Sequence, residues 1–472
     1  MKRRLSLYLL FLLLSFTGHT QYQYIHEVLE YTPAPGQFVN KAPMGLPESA
    51  ESITGTITGA LSLGAWGGYV VFRFEEPVQN HPDNPFGIDF IIFGNPLETW
   101  SEPAIVWVMQ DENSNGMPDD TWYQLAGSDY FFSSTLHNYQ VTYFNPQSET
   151  AAEVPWEDNL GHSGFILTNG AHTQPYYPSH EIFPQIAHEQ YTLQGTRILG
   201  KVENDNPAFI KSYRRAFGYA DNLPRATSPF NVPDNPYTPE IENAGGDGFD
   251  INWAIDANGS YTDLDEIHFI KVQTAMPDHG GWLGEVSTEI TGAIVVAPNP
   301  DISGILDMVV AKDLPRVITQ SPYPVEAFSF HKGRLQPDRT ILWTSDQEGA
   351  FVDEEGFLHF NVSGELTLTA YWEENPDIFT TVTTTLDYNP THTPEPKMHK
   401  TRVYPLPADD HITIETDREA IFILYDMQGA KLMEFTHSGG TMRFDTSTLM
   451  PGLYLLTSTD GRESFNQKIV IR

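Results

Sequence analysis

The stretch that decides the architecture reads Glu102-Pro-Ala-Ile-Val-Trp-Val-Met-Gln-Asp-Glu-Asn-Ser-Asn-Gly-Met-Pro-Asp-Asp-Thr-Trp122. An apolar, β-branched run from Ile105 to Met109 predicts a core strand. It opens directly into an oxygen-rich loop. Asp111, Asn113 and Asn115 stand at every second position, Gly116 permits a sharp turn, and Asp119 and Asp120 follow. A hard cation such as calcium takes ~6–8 oxygen ligands, and alternating Asp and Asn on a tight loop supply them. Asp111, Asn113, Asn115, Asp119 and Asp120 are the expected side-chain ligands, with the main-chain carbonyl of Met117 as a sixth. The glutamate that closes an EF-hand loop is missing, since Trp122 stands there, and no flanking helices are evident. The ion expected is therefore calcium in a structural role, outside a paired EF-hand. A solvated Asx-rich turn between two strands is the competing expectation.

Working outward, strands are frequent and helices scarce. Gly67-Gly-Tyr-Val-Val-Phe-Arg-Phe74, Asp89-Phe-Ile-Ile-Phe93, Tyr139-Gln-Val-Thr-Tyr-Phe144, Gly164-Phe-Ile-Leu-Thr168 and Ile267-His-Phe-Ile-Lys-Val-Gln-Thr274 are β-branched and aromatic. Thr54 to Leu63 has the same character. Thirty-five prolines and 36 glycines punctuate them. The pattern predicts an all-β chain whose large domain, 21–297, is a β-sandwich or jelly roll.

The first twenty residues have the form of an export signal. Lys2, Arg3 and Arg4 precede an apolar core from Leu5 to Phe16, and Gly18-His19-Thr20 lead to Gln21. That core is short for a membrane span, and no later stretch is as apolar. There is no cysteine, hence no disulfide and no acylated N-terminal cysteine. The chain has 26 basic and 62 acidic residues, and removal of the signal leaves 23 against 62, a formal net charge of −39. Such a surface disfavours nucleic acid and anionic membrane faces.

Several polar and aromatic groups invite a site. His162, His172, His180 and His188 recur, although their spacing matches no zinc signature. Trp66, Trp100, Trp156, Tyr176 and Tyr177 would form either a sugar-stacking platform or core. Asp247, Asp250 and Asp256-Ala-Asn-Gly259 form a second acidic stretch, which would start either another ion loop or a hairpin turn, and its Asn-Gly favours the hairpin. Glu285 and Glu289 lie near the end of the domain. No acid pair is nominated for catalysis, and the catalytic and ligand-binding residues stay open.

Residues 298–392 change character after Pro298-Asn-Pro300. Ile341-Leu-Trp-Thr-Ser345, Ala350-Phe-Val-Asp353, Ser363-Gly-Glu-Leu-Thr-Leu-Thr-Ala370 and Phe379-Thr-Thr-Val-Thr-Thr-Thr385 predict sandwich strands, and Pro390, Pro394 and Pro396 mark an extended linker, 393–400. A small antiparallel sandwich is expected over 401–472.

Three resemblances go with these segments. Tyr31-Thr-Pro-Ala-Pro-Gly-Gln-Phe-Val-Asn40, Gly67-Gly-Tyr-Val-Val-Phe72, Glu102 to Asp111, Asp119-Asp-Thr-Trp-Tyr-Gln-Leu125, Phe217-Gly-Tyr-Ala-Asp-Asn222 and Gly281-Trp-Leu-Gly-Glu-Val-Ser-Thr-Glu289 resemble a family of large Bacteroidetes cell-surface proteins, which implies a surface β-sandwich and no assigned reaction. Residues 298–392 resemble bacterial immunoglobulin-like domains of adhesins, which implies a spacer. Val403-Tyr-Pro-Leu-Pro-Ala408, Leu424-Tyr-Asp-Met-Gln-Gly429, Phe444-Asp-Thr-Ser-Thr-Leu-Met-Pro-Gly-Leu-Tyr-Leu-Leu456 and Lys468-Ile-Val-Ile-Arg472 resemble the type A C-terminal sorting domain of the Bacteroidetes type IX secretion system, with Leu406 where that family usually has Asn. That resemblance implies export through the periplasm to the outer surface or beyond, with the secretion machinery as partner. The function expected is a calcium-binding surface protein that recognises an extracellular ligand, carbohydrate first. A polysaccharide hydrolase or lyase and a structural adhesin are the alternatives. The hydrolase requires His162, His172 and the acidic loop residues to meet in a groove.

Overall fold

The computed structural model describes residues 23–82, 84–204, 206, 208–223, 246–297, 300–301, 303–388, 402–404, 411–416, 420–426, 431–447, 449, 452–459 and 464–471. The expected signal (1–20), the linker at 393–400, Leu406 and the turns at 427–430 and 450–451 lie outside them. Among the described residues there are 36 strands, one five-residue helix (Pro47–Glu51) and two short 3-10 turns, so the chain is all-β as expected. No helix of the described residues is long and apolar enough to cross a membrane.

The core of the large domain is built around the quoted strand. Ala104–Met109 lies inside a six-stranded sheet in the order Glu27–Thr32, Tyr69–Arg73, Phe269–Thr274, Ala104–Met109, Trp122–Leu125, Ala254–Ile255. Successive side chains alternate between faces. Val106 and Val108, with Ile270, Val272 and Phe72, point into the core. Trp107, Tyr69 and Lys271 take the other face, where the Lys271 ammonium lies 4.9 Å from the Trp107 ring and 5.8 Å from that of Tyr69. A three-stranded sheet, Asp247–Phe249, Phe90–Phe93 and Gly292–Val295, contributes Phe90, Ile92, Phe249 and Ile294 to the same core. Phe90 and Phe249 stack at 5.3 Å. A four-stranded sheet runs Ser163–Ile166, Val154–Asp158, Leu136–Phe144, Gln190–Arg197.

Two local expectations change. Of the strand expected over Thr54–Leu63, only Leu61–Ser62 is extended in a sheet. Gly55 has φ +67°, and Thr56 and Thr58 bond each other instead of a neighbouring strand. The expected strand at Ile267 breaks at His268, whose main-chain N–H donates to Met109 O at 2.8 Å, before the strand resumes at Phe269.

The core does not stop at residue 297. Val310 and Phe330, from the paired strands Asp307–Ala311 and Ala327–His331, are buried in the same cluster as Phe217 and Trp253. Phe330 meets the Phe217 ring at 5.2 Å, and Trp253 Nε1 donates to Lys332 O at 2.7 Å. The chain accordingly divides into two compact units, and neither ends at the 297/298 boundary expected from composition. One comprises residues up to Leu314, Val325–Asp346 and Thr367–Thr383; the other Pro315–Pro324, Gln347–Leu366 and Thr384–Arg472. Pro298-Asn-Pro300 has the local composition of a linker, yet the strands beyond it fill the core of the domain before it.

In the second unit, Ala350–Val352 and Tyr323–Pro324 flank Phe357–Phe360. Its C-terminal part forms two antiparallel sheets. One is ordered Arg402–Tyr404, His411–Thr416, Gly440–Asp445; the other Lys431–His437, Ala420–Asp426, Gly452–Thr459, Ser464–Ile471. Ile412, Ile414, Phe422, Leu424, Leu456 and Ile469 make its core. This is the small sandwich the alternating strands predict.

Candidate functional site

Residues 110–121 join two adjacent antiparallel strands, with Met109 opposite Trp122. The six residues expected around an ion are gathered by hydrogen bonds. Asp111 accepts the N–H groups of Asn115 at 3.0 Å and Gly116 at 2.8 Å. Asn113 Nδ2 donates to Asp119 Oδ1 at 3.2 Å and to Asp120 Oδ1 at 3.3 Å, and Asn115 Nδ2 donates to Asp119 Oδ2 at 3.1 Å. Met117 O accepts from Asp119 N at 2.9 Å. Gly116 at φ +72° makes the turn that an L-residue would resist. The loop carries no helices, as its sequence predicted. The Asp256–Gly259 segment forms a turn closed by Asp256 N to Ser260 O, with Ile255 bridged to Tyr261.

The four histidines do not form a ligand set. His162 pairs with Asp158 at 2.9 Å, His172 packs edge-on to Phe38, and His180 Nδ1 lies 2.7 Å from Ile186 O. His180 and His188 border one cleft with Glu149 and Glu181. The meeting of His162, His172 and the loop acids that a hydrolase requires is not seen: each has its partners elsewhere.

Tertiary structure instead assembles a group that spacing could not show. Glu102, Asp221 and Glu289, remote in sequence, place carboxylate oxygens within 4.8 Å of one another, all buried. It is the one such metal-spaced group among the described residues. Asp221 accepts from Asn95 N at 2.9 Å and Glu289 N at 2.8 Å, and Glu102 accepts from Ser287 N at 2.8 Å. Glu102 and Glu289 also share a side-chain hydrogen bond, which needs a proton on one of them. Burial, then the neighbouring carboxylates, drives Glu102 and Asp221 well above the usual range. Burial pushes Glu289 up to about 7 and, close by, Glu285 up to about 8.

These shifts predict a pH dependence. An acid raised from 4.5 keeps its proton in the fold after the unfolded chain has released its own. The stability is full below pH 4.5 and is lost as pH rises through about 7 and about 8. The melting temperature of the full chain should therefore fall between pH ~5 and ~8, and Glu285→Gln should flatten the slope. A wild-type melting temperature that is level across that range would contradict the assignment.

A cavity of about 80 Å³ lies beside Glu285. Its walls come from one four-stranded sheet and the loops beside it. Tyr139 and Tyr143 are on the strand 136–144, Trp156 on 154–158 and Phe165 on 163–166, while Trp66 precedes the strand 69–73. Tyr143 OH fixes the Trp66 segment by donating to Trp66 O at 2.8 Å, and the Trp66 and Tyr139 rings meet edge-on at 4.8 Å. Trp156 lies over Gly164 on the paired strand, where a Cβ would fall 2.7 Å from its ring. His279 and Glu285 face each other across a β-bridge, and the turn between them presents Trp282, 64% exposed. Three polar atoms in this lining are buried without a hydrogen-bond partner: Trp66 Nε1, His279 Nε2 and Glu285 Oε2.

The aromatic residues noted in sequence therefore divide. Trp66 and Trp156 meet at the cavity. Trp100 joins a small core with Ile105 and Tyr219, and Tyr176 and Tyr177 are buried with their hydroxyls bonded to Asn169 N and Ala187 O. Glu285 and Glu289 were noted in sequence as acids near the end of the domain and Glu102 opens the core-strand stretch, but nothing in spacing brought the three together.

Comparison with known proteins places the C-terminal segment. Residues 402–472 match the secretion system C-terminal sorting domain. No curated protein sequence matches the chain. Among solved structures, the Escherichia coli adhesin FdeC aligns over 45% of this chain and 80% of its own at 9% identity and TM-score 0.16. Domains 4 and 5 of the S-layer protein SbsC align over 35% and 96% at 10% identity and TM-score 0.15. Dimeric latent PorU from Porphyromonas gingivalis aligns over 73% and 30% at 10% identity and TM-score 0.16. Similarity at these scores carries no argument about function. The C-terminal sandwich is a type IX sorting domain, and the chain that bears it is addressed to the cell surface or the extracellular space.

Proposed function

We propose that this surface protein recognises an extracellular carbohydrate through the cavity beside Glu285, with calcium held in the 111–120 loop. The observation that carries the proposal is the cavity lining: aromatic walls, with three lining side chains that each carry a buried polar atom without a partner. Buried polar atoms are almost always bonded, so three orphans in one apolar cavity favour a ligand that bonds them. Aromatic walls with a few convergent polar groups suit a sugar, whose C–H faces stack while its oxygens bond. The calcium proposal is supported by the oxygen-bearing groups of Asp111, Asn113, Asn115, Met117, Asp119 and Asp120, which the loop collects in one hydrogen-bonded ring. An ion there would neutralise three neighbouring carboxylates and fix the hairpin of the core strand.

The test is a glycan panel probed with the full chain in millimolar calcium and in chelator, with melting curves alongside. Binding to a defined glycan class is expected, with a calcium-dependent rise in melting temperature that disappears in Asp111→Ala/Asp119→Ala. An empty panel in both conditions would overturn the carbohydrate proposal. An unchanged melting temperature in calcium would reduce the loop to an Asx-rich turn.

A further inference from the structure

We infer that the cavity beside Glu285 is an acetamido pocket, so that the carbohydrate it takes carries an N-acetyl group. This rests on the carbohydrate proposal above and narrows it. Whether each orphan atom donates or accepts follows from what the rest of its side chain already bonds. His279 Nδ1 accepts the N–H of Gly281 at 3.0 Å, which leaves the ring hydrogen on Nε2. Burial lowers the His279 pKa, so the ring is neutral and Nε2 is a donor. Glu285 Oε1 accepts the N–H of Gln37 at 2.7 Å. Burial holds the Glu285 carboxyl protonated up to about pH 8, and its hydrogen is then on Oε2. Trp66 Nε1 can only donate. All three orphans are therefore donors, and the side chains that carry them line one cavity.

Three donors without an acceptor select the ligand group. An ammonium brings only further donors. A carboxylate brings acceptors together with a charge, and burying a charge in a small cavity costs far more than burying a neutral group. A neutral carbonyl oxygen accepts without charge. The rest of the lining includes Val141, Trp156, Phe165, Ile166 and Met276, a surface for a methyl group, and the Tyr139 and Tyr143 hydroxyls that share it are already bonded to Asp158 and Trp66 O. A neutral carbonyl attached to a methyl is an acetamido group. The cavity, at about 80 Å³, falls well short of the ~300–1,000 Å³ that holds a whole small ligand, so it takes one substituent while the sugar ring stays outside. Phe165, 55% exposed and part of the lining, offers a ring face to that sugar.

The experiment is calorimetric titration of the full chain with three probes of equal length: tri-N-acetylchitotriose, its de-acetylated glucosamine trimer, and cellotriose. The acetylated trimer should bind at least ~10-fold more tightly than the other two, as expected for one or two hydrogen bonds to a buried carbonyl. Trp66→Phe keeps the ring and removes one donor, and it should cost the acetylated trimer ~10-fold while leaving any weak cellotriose binding unchanged. Should Trp66→Phe fail to fold, His279→Phe removes a second donor while keeping a ring and gives the same comparison. Equal binding of cellotriose and the acetylated trimer overturns the acetamido inference and leaves the carbohydrate proposal standing. Binding of other glycans on the panel with none of the acetylated trimer does the same. An empty panel removes both.

Discussion

Replacing Phe330 with alanine should lower the unfolding free energy of the first unit by about 3–5 kcal/mol. Phe330 is fully buried, and its ring meets Phe217 at 5.2 Å and Phe131 at 6.5 Å. Phe217 in turn lies 5.2 Å from Trp253, so the vacated volume is bounded by large rings that cannot collapse into it. Strand 327–331 is also held by Lys332 O, which accepts from Trp253 Nε1, and by Leu335 N, which donates to Tyr261 OH at 2.9 Å. Equilibrium denaturation of Phe330→Ala beside Phe351→Ala, whose side chain is 59% exposed, measures the difference. A loss below ~1 kcal/mol at Phe330 would mean that the strands after residue 300 fold as a separate body. The same packing predicts that a chain ending at Ala297 folds poorly.

Arg215→Met should cost a similar ~3–5 kcal/mol through charge instead of volume. The guanidinium is 7% exposed and pairs with Asp129 at 3.1 Å and with Asp313 at 2.9 Å. Taking it away leaves Asp129, itself buried, without its cation, whereas Asp313 keeps Lys201 at 3.3 Å. The damage should therefore concentrate on Asp129. Asp129→Asn in the Arg215→Met background should recover most of the loss, and the double-mutant cycle isolates the pair. Equal losses in the single and double variants would assign the cost to methylene packing of the arginine stem.

Much of the local structure was legible in residues alone. Met109 and Trp122 end paired strands because a β-branched, aromatic run on each side of an Asx-rich loop has few other folds. The alternation in Tyr69–Arg73 and Phe269–Thr274 fixed which side chains face the core. The binding-type cavity was half legible. Trp66 and Trp156 line the cavity whereas Trp100, Tyr176 and Tyr177, alike in sequence, do not, although Trp66 is as buried as they are. Composition does not state which aromatic side chain ends beside a buried glutamate. The break at Pro298–Pro300 misled for a related reason, because proline marks a local change of direction and carries no information about what packs beyond it.

Period-two patterning and turn chemistry within short windows suffice for the all-β class and the small C-terminal sandwich, and the motifs within 403–472 suffice for its resemblance to a sorting domain. Tertiary structure alone decided that Glu102, Asp221 and Glu289 meet and that Phe330 completes the first core. It also decided that Trp66, His279 and Glu285 leave three donors in one cavity. Those facts depend on contacts between residues far apart in the chain. The burial that such contacts create sets both the protonation of the glutamates and the need of the orphan atoms for a partner.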